Sequence, residues 1–380
     1  MVETALIYAH GRGGEPVFGK SLLERNLQLC ERAGISRFYI ALDGAPREAV
    51  EDALGSFRND PHVTLLDSLD AQCSRRAGLS DTAACVALEG NLIFTGDQLA
   101  RLIHQYDAGP ARVVRLASTG GDTHAGLAIG TYADLVAPPP VIGAAASLAG
   151  LLPFALDGRP DDPSEAERRI GATLRHETAW KDGFLAHHLD RHISWRIAVR
   201  LGRTTVTPNQ VTLANTALGL IAAAIIAIGG YWAPLLGILM LLVSITLDGV
   251  DGELARMKLM QSDFGGMLDA VTDSIVNFAM FVGVAVGAYR GGGPLYLKLF
   301  PVFMLGCALC AATAYWVYKK RAGSLSMLEK LTSRDFVYGC FPFLLFGRID
   351  LLMWAAVIGS FMFPLLLWSL TCLRPRAGAA

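Results

Sequence analysis

The chain has 380 residues, 52% of them hydrophobic and 18% charged, and a net charge of −1. That balance excludes the global basic field of a nucleic-acid binder, and the seven scattered cysteines provide no metal or redox framework. A mean hydropathy of +0.39 is high for a soluble protein and low for one that is all membrane. The average hides two halves, with most of the charge in residues 1–200 and long apolar runs in residues 205–372, so a soluble domain joined to a membrane domain is expected.

The opening, MVETALIYAHGRGG, has neither a basic n-region nor a long apolar core, so no signal peptide is expected. Strand-like and helix-like segments then alternate. Ala5–Ala9, Arg37–Leu42, His62–Leu66 and Ala84–Leu88 read as strands, and Lys20–Ala33 and Ala45–Phe57 as helices. Such alternation predicts an α/β domain on a mostly parallel sheet over residues 1–180. The first strand runs into His10-Gly11-Arg12-Gly13-Gly14, and Lys20 opens the next helix. Glycines there let backbone N–H groups approach phosphates, and a lysine neutralises them.

The run GRGGEPVFGKSLLERNLQLCERAGISRFYIAL is similar to the opening of sugar-phosphate nucleotidyltransferases. The resemblance implies a nucleotide held by Gly11, Gly13 and Lys20. Departures accompany it. The arginine after the glycines is displaced, and Ser21 stands where a proline usually follows the lysine. Glu89 and Asn91 occupy the region of the metal-binding aspartate, with Asp97 as a nearby substitute in poorer register.

Residues 138–164, rich in proline, alanine and glycine, read as irregular connection. Next, residues 181–204 form an amphipathic juxtamembrane helix. Leu185, Leu189, Ile193, Ile197 and Leu201 recur every fourth residue beside a stripe of His188, His192, Arg196 and Arg200. A membrane-surface helix fits this pattern, and so does a linker helix packed on the soluble domain. Thr207-Pro208-Asn209-Gln210 then places a proline at a helix start.

Six spans are expected in residues 205–375: Val211–Gly229, Pro234–Met257, Phe264–Tyr289, Leu295–Tyr318, Phe336–Phe346 and Leu351–Cys372. The fifth is short against the ~20 residues a bilayer requires. Cys307-x-x-Cys310 falls inside the fourth and reads as helix packing. With a cytoplasmic N-terminal domain, Arg256, Lys258, Lys319, Lys320, Arg321, Arg374 and Arg376 lie inside and Arg290, Lys298 and Arg348 outside, as the positive-inside rule prefers.

The most informative stretch joins spans two and three. Leu247–Asp273 reads LDGVDGELARMKLMQSDFGGMLDAVTD. Asp248 and Asp251 stand at i, i+3 and Asp269 and Asp273 at i, i+4, so each pair shares a helix face. Acids at membrane depth are costly and mark function, either by cradling hard cations or by serving an ion pathway. The spacing D-x-x-D-G-x-x-A-R-x8-G-x3-D-x3-D resembles the signature of the CDP-alcohol phosphotransferase (CDP-alcohol phosphatidyltransferase) family.

The resemblance implies an all-α, six-helix transmembrane domain that moves a phospho-alcohol or phosphatidyl group from a CDP-linked donor to a hydroxyl acceptor, releasing CMP. It implies Mg2+ or Mn2+ on Asp248, Asp251, Asp269 and Asp273, with Asp273 as the base. It places CDP against Asn209, Gly252, Ala255, Arg256 and Gly265, although Arg256 also reads as a membrane anchor. Lys319, Lys320, Arg321 and Arg334 form either an acceptor-phosphate pocket or positive-inside anchoring. A homodimer in the lipid bilayer and no nucleic-acid partner are expected. Fused enzymes in which a nucleotidyltransferase precedes such a transferase have a similar junction, DGFLAHHLDRHISWRI followed by TPNQVTL. Two alternatives stand beside this reading: a bifunctional enzyme that also makes its CDP-alcohol, and a membrane-anchored nucleotide-binding module without transfer activity.

Overall fold

In the computed structural model of the protein, residues 2–9, 14–42, 44–69, 78–108, 113–116, 126–136, 144–146, 154–155, 162–178, 191–320 and 336–373 are described. The chain divides into two compact units. One comprises Met1–Glu177, Gly202–Thr205 and Arg256–Leu259; the other comprises Thr178–Leu201, Val206–Ala255 and Met260–Ala380.

The first unit is α/β, as expected. Its strands are β1 (Thr4–Tyr8), β2 (Pro16–Val17), β3 (Lys20–Ser21), β4 (Arg37–Ala41), β5 (Val63–Leu66), β6 (Ala84–Glu89), β7 (Leu92–Ile93), β8 (Val113–Leu116), β9 (Leu127–Thr131), β10 (Ala144–Ala146) and β11 (Phe154–Ala155). Its helices are α1 (Leu22–Arg32), α2 (Arg47–Ala53), α3 (Gly96–Ala108), α4 (Tyr132–Val136) and α5 (Asp162–Thr178). Seven strands form one sheet in the order β10-β8-β9-β6-β1-β4-β5. β1 is parallel to β4 and β6, whereas β9 runs antiparallel to β6 and β8.

Central β1 is apolar on both faces because both are covered. Ala5 and Ile7 pack with Leu23 and Leu27 of α1, and Leu6 packs with Tyr39, Cys85 and Tyr132. Residues 138–164 are not wholly irregular: β10 adds an edge strand beside β8, and β11 pairs with β7. Short Ala-rich edge strands carry little periodicity, which hid them in the sequence.

From β1 the chain moves outward through β4 to β5, then returns to the other flank of β1 as β6. The reversal makes a switch point at the carboxyl ends of β1 and β6, where open α/β sheets bind ligands. Within this unit Arg25 donates to Met257 O (2.5 Å), Arg32 to Leu259 O (2.6 Å) and Lys258 to Thr204 O (2.6 Å). Helix-terminal carbonyls, which lack intrahelical partners, are thereby satisfied. Leu259 has φ 53°, the left-handed conformation that closes helices and usually falls to glycine.

The second unit is helical: α6 (Arg191–Gly202), α7 (Pro208–Ile228), α8 (Trp232–Met257), α9 (Asp263–Gly292), α10 (Leu295–Lys320), α11 (Phe336–Leu345) and α12 (Ile349–Leu373). Among the described residues five helices, α7 to α10 and α12, are long and apolar enough to cross a membrane. The six-span expectation is corrected by one. α11 has ten residues, with Pro342 inside it, and at 1.5 Å per residue it covers about half of a ~30 Å hydrocarbon core. Tyr231, at the turn between α7 and α8, donates to Leu345 O at 3.1 Å, so α11 ends at the far side from Pro208. α10 starts on that far side, where Gly292 approaches the Tyr296 ring, and runs back for 26 residues.

Small residues let α7 and α9 pack closely, as polar-free helix interfaces in membranes require. A Cβ on Gly219 would lie 2.6 Å from Val276 Cγ1. One on Gly287 would lie 2.6 Å from Ile226 O and 2.9 Å from Ile349 Cδ1, and one on Gly283 would strike Ala223 O. Backbone cannot yield as a side chain can. Gly287→Val should therefore cost about 1–3 kcal/mol of overpacking and lower the melting temperature of the detergent-solubilised protein by about 3–10 °C. An unchanged melting curve would show that the two helices do not pack this closely.

Candidate functional site

The site is built where three helices begin or end. α7 starts with a capping box, in which Thr207 and Gln210 satisfy each other's backbone N–H groups and Pro208 takes the first position. The proline start read from the sequence is thus one part of a fuller cap. α9 starts at Ser262, whose hydroxyl accepts from Gly265 N at 3.0 Å. α8 arrives at the same end with Asp248 and Asp251 in its last turns. The caps fix the register of both entering helices, and with it the direction of their acids.

Asp248, Asp269 and Asp273 converge. Each offers a carboxylate oxygen, and the three oxygens lie within 4.8 Å of one another. Asp248 is 6% exposed and the α9 pair is half-buried. Three hard oxygens at that separation, from two helices, match the donor chemistry of Mg2+ or Mn2+. The fit is good on composition and spacing alike.

The fourth predicted ligand, Asp251, makes different contacts. It is buried, and its carboxylate accepts from the Thr212 hydroxyl of α7 and from Gly252 N (2.6 Å). Thr212 was not singled out by the sequence, where a threonine inside an apolar span reads as filler. The available signal is its place one helical turn beyond Pro208, on the face that carries Asn215 and Gly219 (i, i+3, i+7).

The residues expected around CDP are partly grouped. A Cβ on Gly265 would lie 3.4 Å from Asn209 Oδ1, so the starts of α7 and α9 bring those two together. Gly252 and Ala255 follow Asp251 on α8, half-buried, and Arg256 is in the last turn of that helix. Lys319 is exposed in the last turn of α10. The Lys320 side chain, Arg321 and Arg334 lie outside the described residues.

α6 shows the expected amphipathic split in a modified form. Ser194 and Ala198 face inward, with Ser194 donating to Glu253 at 3.4 Å, while Ile193 is 50% exposed beside Arg196 and Arg200. His188 and the His192 side chain lie outside the described residues.

In the first unit, Lys20 sits in β3, two residues before the helix, rather than opening it. Its ammonium donates to Gln28 Oε1 at 2.7 Å, and burial lowers it below the ordinary lysine range. Ser21, in the place of the usual proline, is the N-cap of α1 and accepts from Glu24 N at 3.0 Å. Gly11 and Gly13 lie outside the described residues. Glu89 ends β6 beside Tyr8, at the switch point, and Gly90 N donates to Tyr8 O at 2.7 Å. Asp97 is paired with Arg101 at 2.7 Å on the exposed first turn of α3, an arrangement that occupies it as a helix-surface ion pair.

Comparison with known proteins bears on the helical unit. Residues 205–366 match the family profile described as CDP-alcohol phosphatidyltransferase. A protein named bifunctional IPC transferase and DIPP synthase, from Aquifex aeolicus, is 35% identical over 127 residues, 33% of this chain and 28% of the relative. Its namesake from Thermococcus kodakarensis is 43% identical over 120 residues, 31% and 26% of the two chains. An archaetidylinositol phosphate synthase of Pyrococcus horikoshii is 30% identical over 117 residues, covering 31% of this chain and 61% of the relative. The matches with the two bifunctional proteins span little more than a quarter of their length.

The carboxylate cluster gives a binding prediction that needs no turnover. Excess Mn2+ should raise the melting temperature of the purified protein, since a ligand at 100 times its Kd adds about 2.7 kcal/mol. Asp248→Asn and Asp269→Asn should abolish that rise. A full rise in both variants would show that cations bind elsewhere.

Proposed function

We propose, from the membership of residues 205–366 in the CDP-alcohol phosphatidyltransferase family, that this protein is an integral membrane CDP-alcohol phosphotransferase. It moves a phospho-alcohol or phosphatidyl group from a CDP-linked donor to a hydroxyl acceptor and releases CMP. The carrying observation is the convergence of Asp248, Asp269 and Asp273 within the matched segment. The name of one relative, archaetidylinositol phosphate synthase, supports an acceptor or donor of the inositol phosphate class, which is the first class to screen.

Phosphoryl transfer asks for charge neutralisation and positioning more than for covalent chemistry. Asp248, Asp269 and Asp273 would hold Mg2+ or Mn2+, which supplies neutralisation of the diphosphate, and Asp251 completes the set once it releases Thr212. Asp273, one turn deeper than Asp269, takes the proton of the attacking hydroxyl. Asn209, Gly252, Ala255, Arg256 and Gly265 surround CDP; the small residues admit it and Arg256 meets its charge. Lys319, Lys320, Arg321 and Arg334 receive a phosphate on the acceptor.

The end carrying these groups faces the cytoplasm in this proposal, supported by the excess of Lys and Arg there. Homodimerisation through the membrane helices belongs to it as well. Only 11% of the α10 window is buried within the chain, against 33% or more for the other four, which leaves a helix for lipid or a second copy to cover.

A bifunctional enzyme is the second reading, favoured by the names of two relatives. Glu89 at the end of β6 weighs against it. Its extra methylene alters the reach of a carboxylate, and Mg2+ tolerates little departure from octahedral geometry.

Two outcomes test these readings. In a donor–acceptor screen with Mg2+ or Mn2+, Asp273→Asn should lower CMP release by about 10²–10⁴-fold, the usual contribution of a general base, while donor binding persists. A variant within threefold of wild type would remove Asp273 from that role. Separately, the full chain carrying Asp273→Asn should release no pyrophosphate from CTP with any alcohol phosphate, and robust release would establish the bifunctional reading.

A further inference from the structure

The polar face that carries the acids does not stop at the acids. On α9 the spacing Asp269, Asp273, Asn277 continues at i, i+4, i+8, and on α8 Ser244 precedes Asp248 by one turn. Both continuations point away from the end where the helices begin, deeper into the bundle. There they line a cavity of about 50 Å³, whose walls include Asn215, Thr216, Ser244 and Asn277 with Asp248 and Asp273 above them.

The chemistry of the walls is unusual for a membrane interior. Ser244 donates to Asn215 Oδ1 at 2.7 Å, both residues being buried, which leaves the Asn215 amide donors for the cavity. Asn277 makes no hydrogen bond with any described residue. Asn277 is half-buried, and an amide that gives up water without another partner costs about 2–7 kcal/mol by transfer scales, which favours a polar occupant. The lining is mixed, with Leu241, Ile245, Val276 and Met280 beside the polar groups, and a cavity that offers a water two to four polar partners can hold it, one molecule needing about 10–15 Å³ by this measure of volume. This cavity therefore has room for a few waters, and its shape gives them Asn215, Asn277 and the two aspartates as partners.

We propose that this pocket is a structural water site and that Asn277, with Asn215 and Ser244, is a positioning residue for Asp273. Waters bridging the Asn277 amide to the Asp273 carboxylate fix its direction, so that the oxygen facing the substrate side is set before the hydroxyl arrives. The inference rests on the reading of Asp273 as the base. Misplacing a reacting group by about 1 Å costs about a hundredfold in rate, and that is the loss the pocket prevents.

The test uses the full-length protein in lipid nanodiscs. The substrates are CDP-diacylglycerol or CDP-inositol, whichever is turned over in the screen. Asn277→Leu keeps the volume and removes the amide. It should lower kcat about 10–100-fold while leaving donor KM and the Mn2+-induced rise in melting temperature as in wild type. Asn277→Ser, which restores a hydroxyl and admits a further water, should recover kcat to within about fivefold. If Asn277→Leu does not fold, Asn277→Ala is read by the same split. A kcat within threefold of wild type in the Leu or Ala variant overturns the proposal, as does a parallel loss of kcat, KM and cation response in the Ser variant. A structure at a resolution that shows waters supplies an arm without turnover. Density bridging Asn277 to Asp273 supports the pocket and a dry cavity overturns it. Failure of wild type to release CMP from any donor would instead sink the transferase reading.

Discussion

Like charges inside a low-dielectric bundle dominate this molecule. Ionised together, three carboxylates whose oxygens lie within 4.8 Å would repel one another by about 4 kcal/mol per pair at an effective dielectric of 20, in addition to the cost of removing Asp248 from water. No apolar packing around them offsets that. A positive partner would offset it, and the arrangement has the donor set of a cation site rather than of a fold-stabilising cluster. The backbone must meanwhile be rigid enough to hold the acids together before the partner arrives.

Much of the helical unit follows from that requirement. In the contact of α7 with α9, Gly219, Gly283 and Gly287 leave out the side chains that would meet Val276, Ala223 O and Ile226 O, and the close approach locks the two helices. The caps at Thr207 and Ser262 set where each helix starts, and a start displaced by one residue would rotate Asp269 and Asp273 by about 100° around the helix. Thr212, reaching from α7 to Asp251, ties α7 to α8 at the same level. Glycine seam, caps and cross-helix hydrogen bond all serve one geometry.

What was legible in the sequence was whatever depends on local pattern. Alternating segments gave the α/β unit, apolar length gave the long helices, and the i, i+3 and i, i+4 acids gave their shared faces. Convergence of Asp248 with Asp269 and Asp273 is a tertiary fact, and only the resemblance to a family anticipated it. Local pattern failed in three places. Phe336–Leu345 is apolar enough for a span but too short, because hydropathy does not report where a helix starts. β10 and β11 are strands of Ala and Phe that pair at edges, where pairing rather than propensity decides. Asn215, Ser244 and Asn277 sit singly in apolar runs, and a single polar residue means something only once a neighbour across the bundle is known.

In the first unit the fold is set independently of any site that it positions. The switch point at β1 and β6 persists because the sheet order fixes it, and the sheet order is held by apolar side chains on both faces of β1. None of those side chains depends on a bound nucleotide. The residues that a nucleotide site here would use make intramolecular contacts of their own. Ser21 caps α1, Lys20 turns inward to Gln28, and Asp97 pairs with Arg101. Each of these contacts is an intramolecular hydrogen bond or ion pair that needs no ligand. Glu89 places a carboxylate at the strand end where the crevice opens. The stability of the sheet therefore does not rely on its site, and substitutions at the site leave the strand order in place.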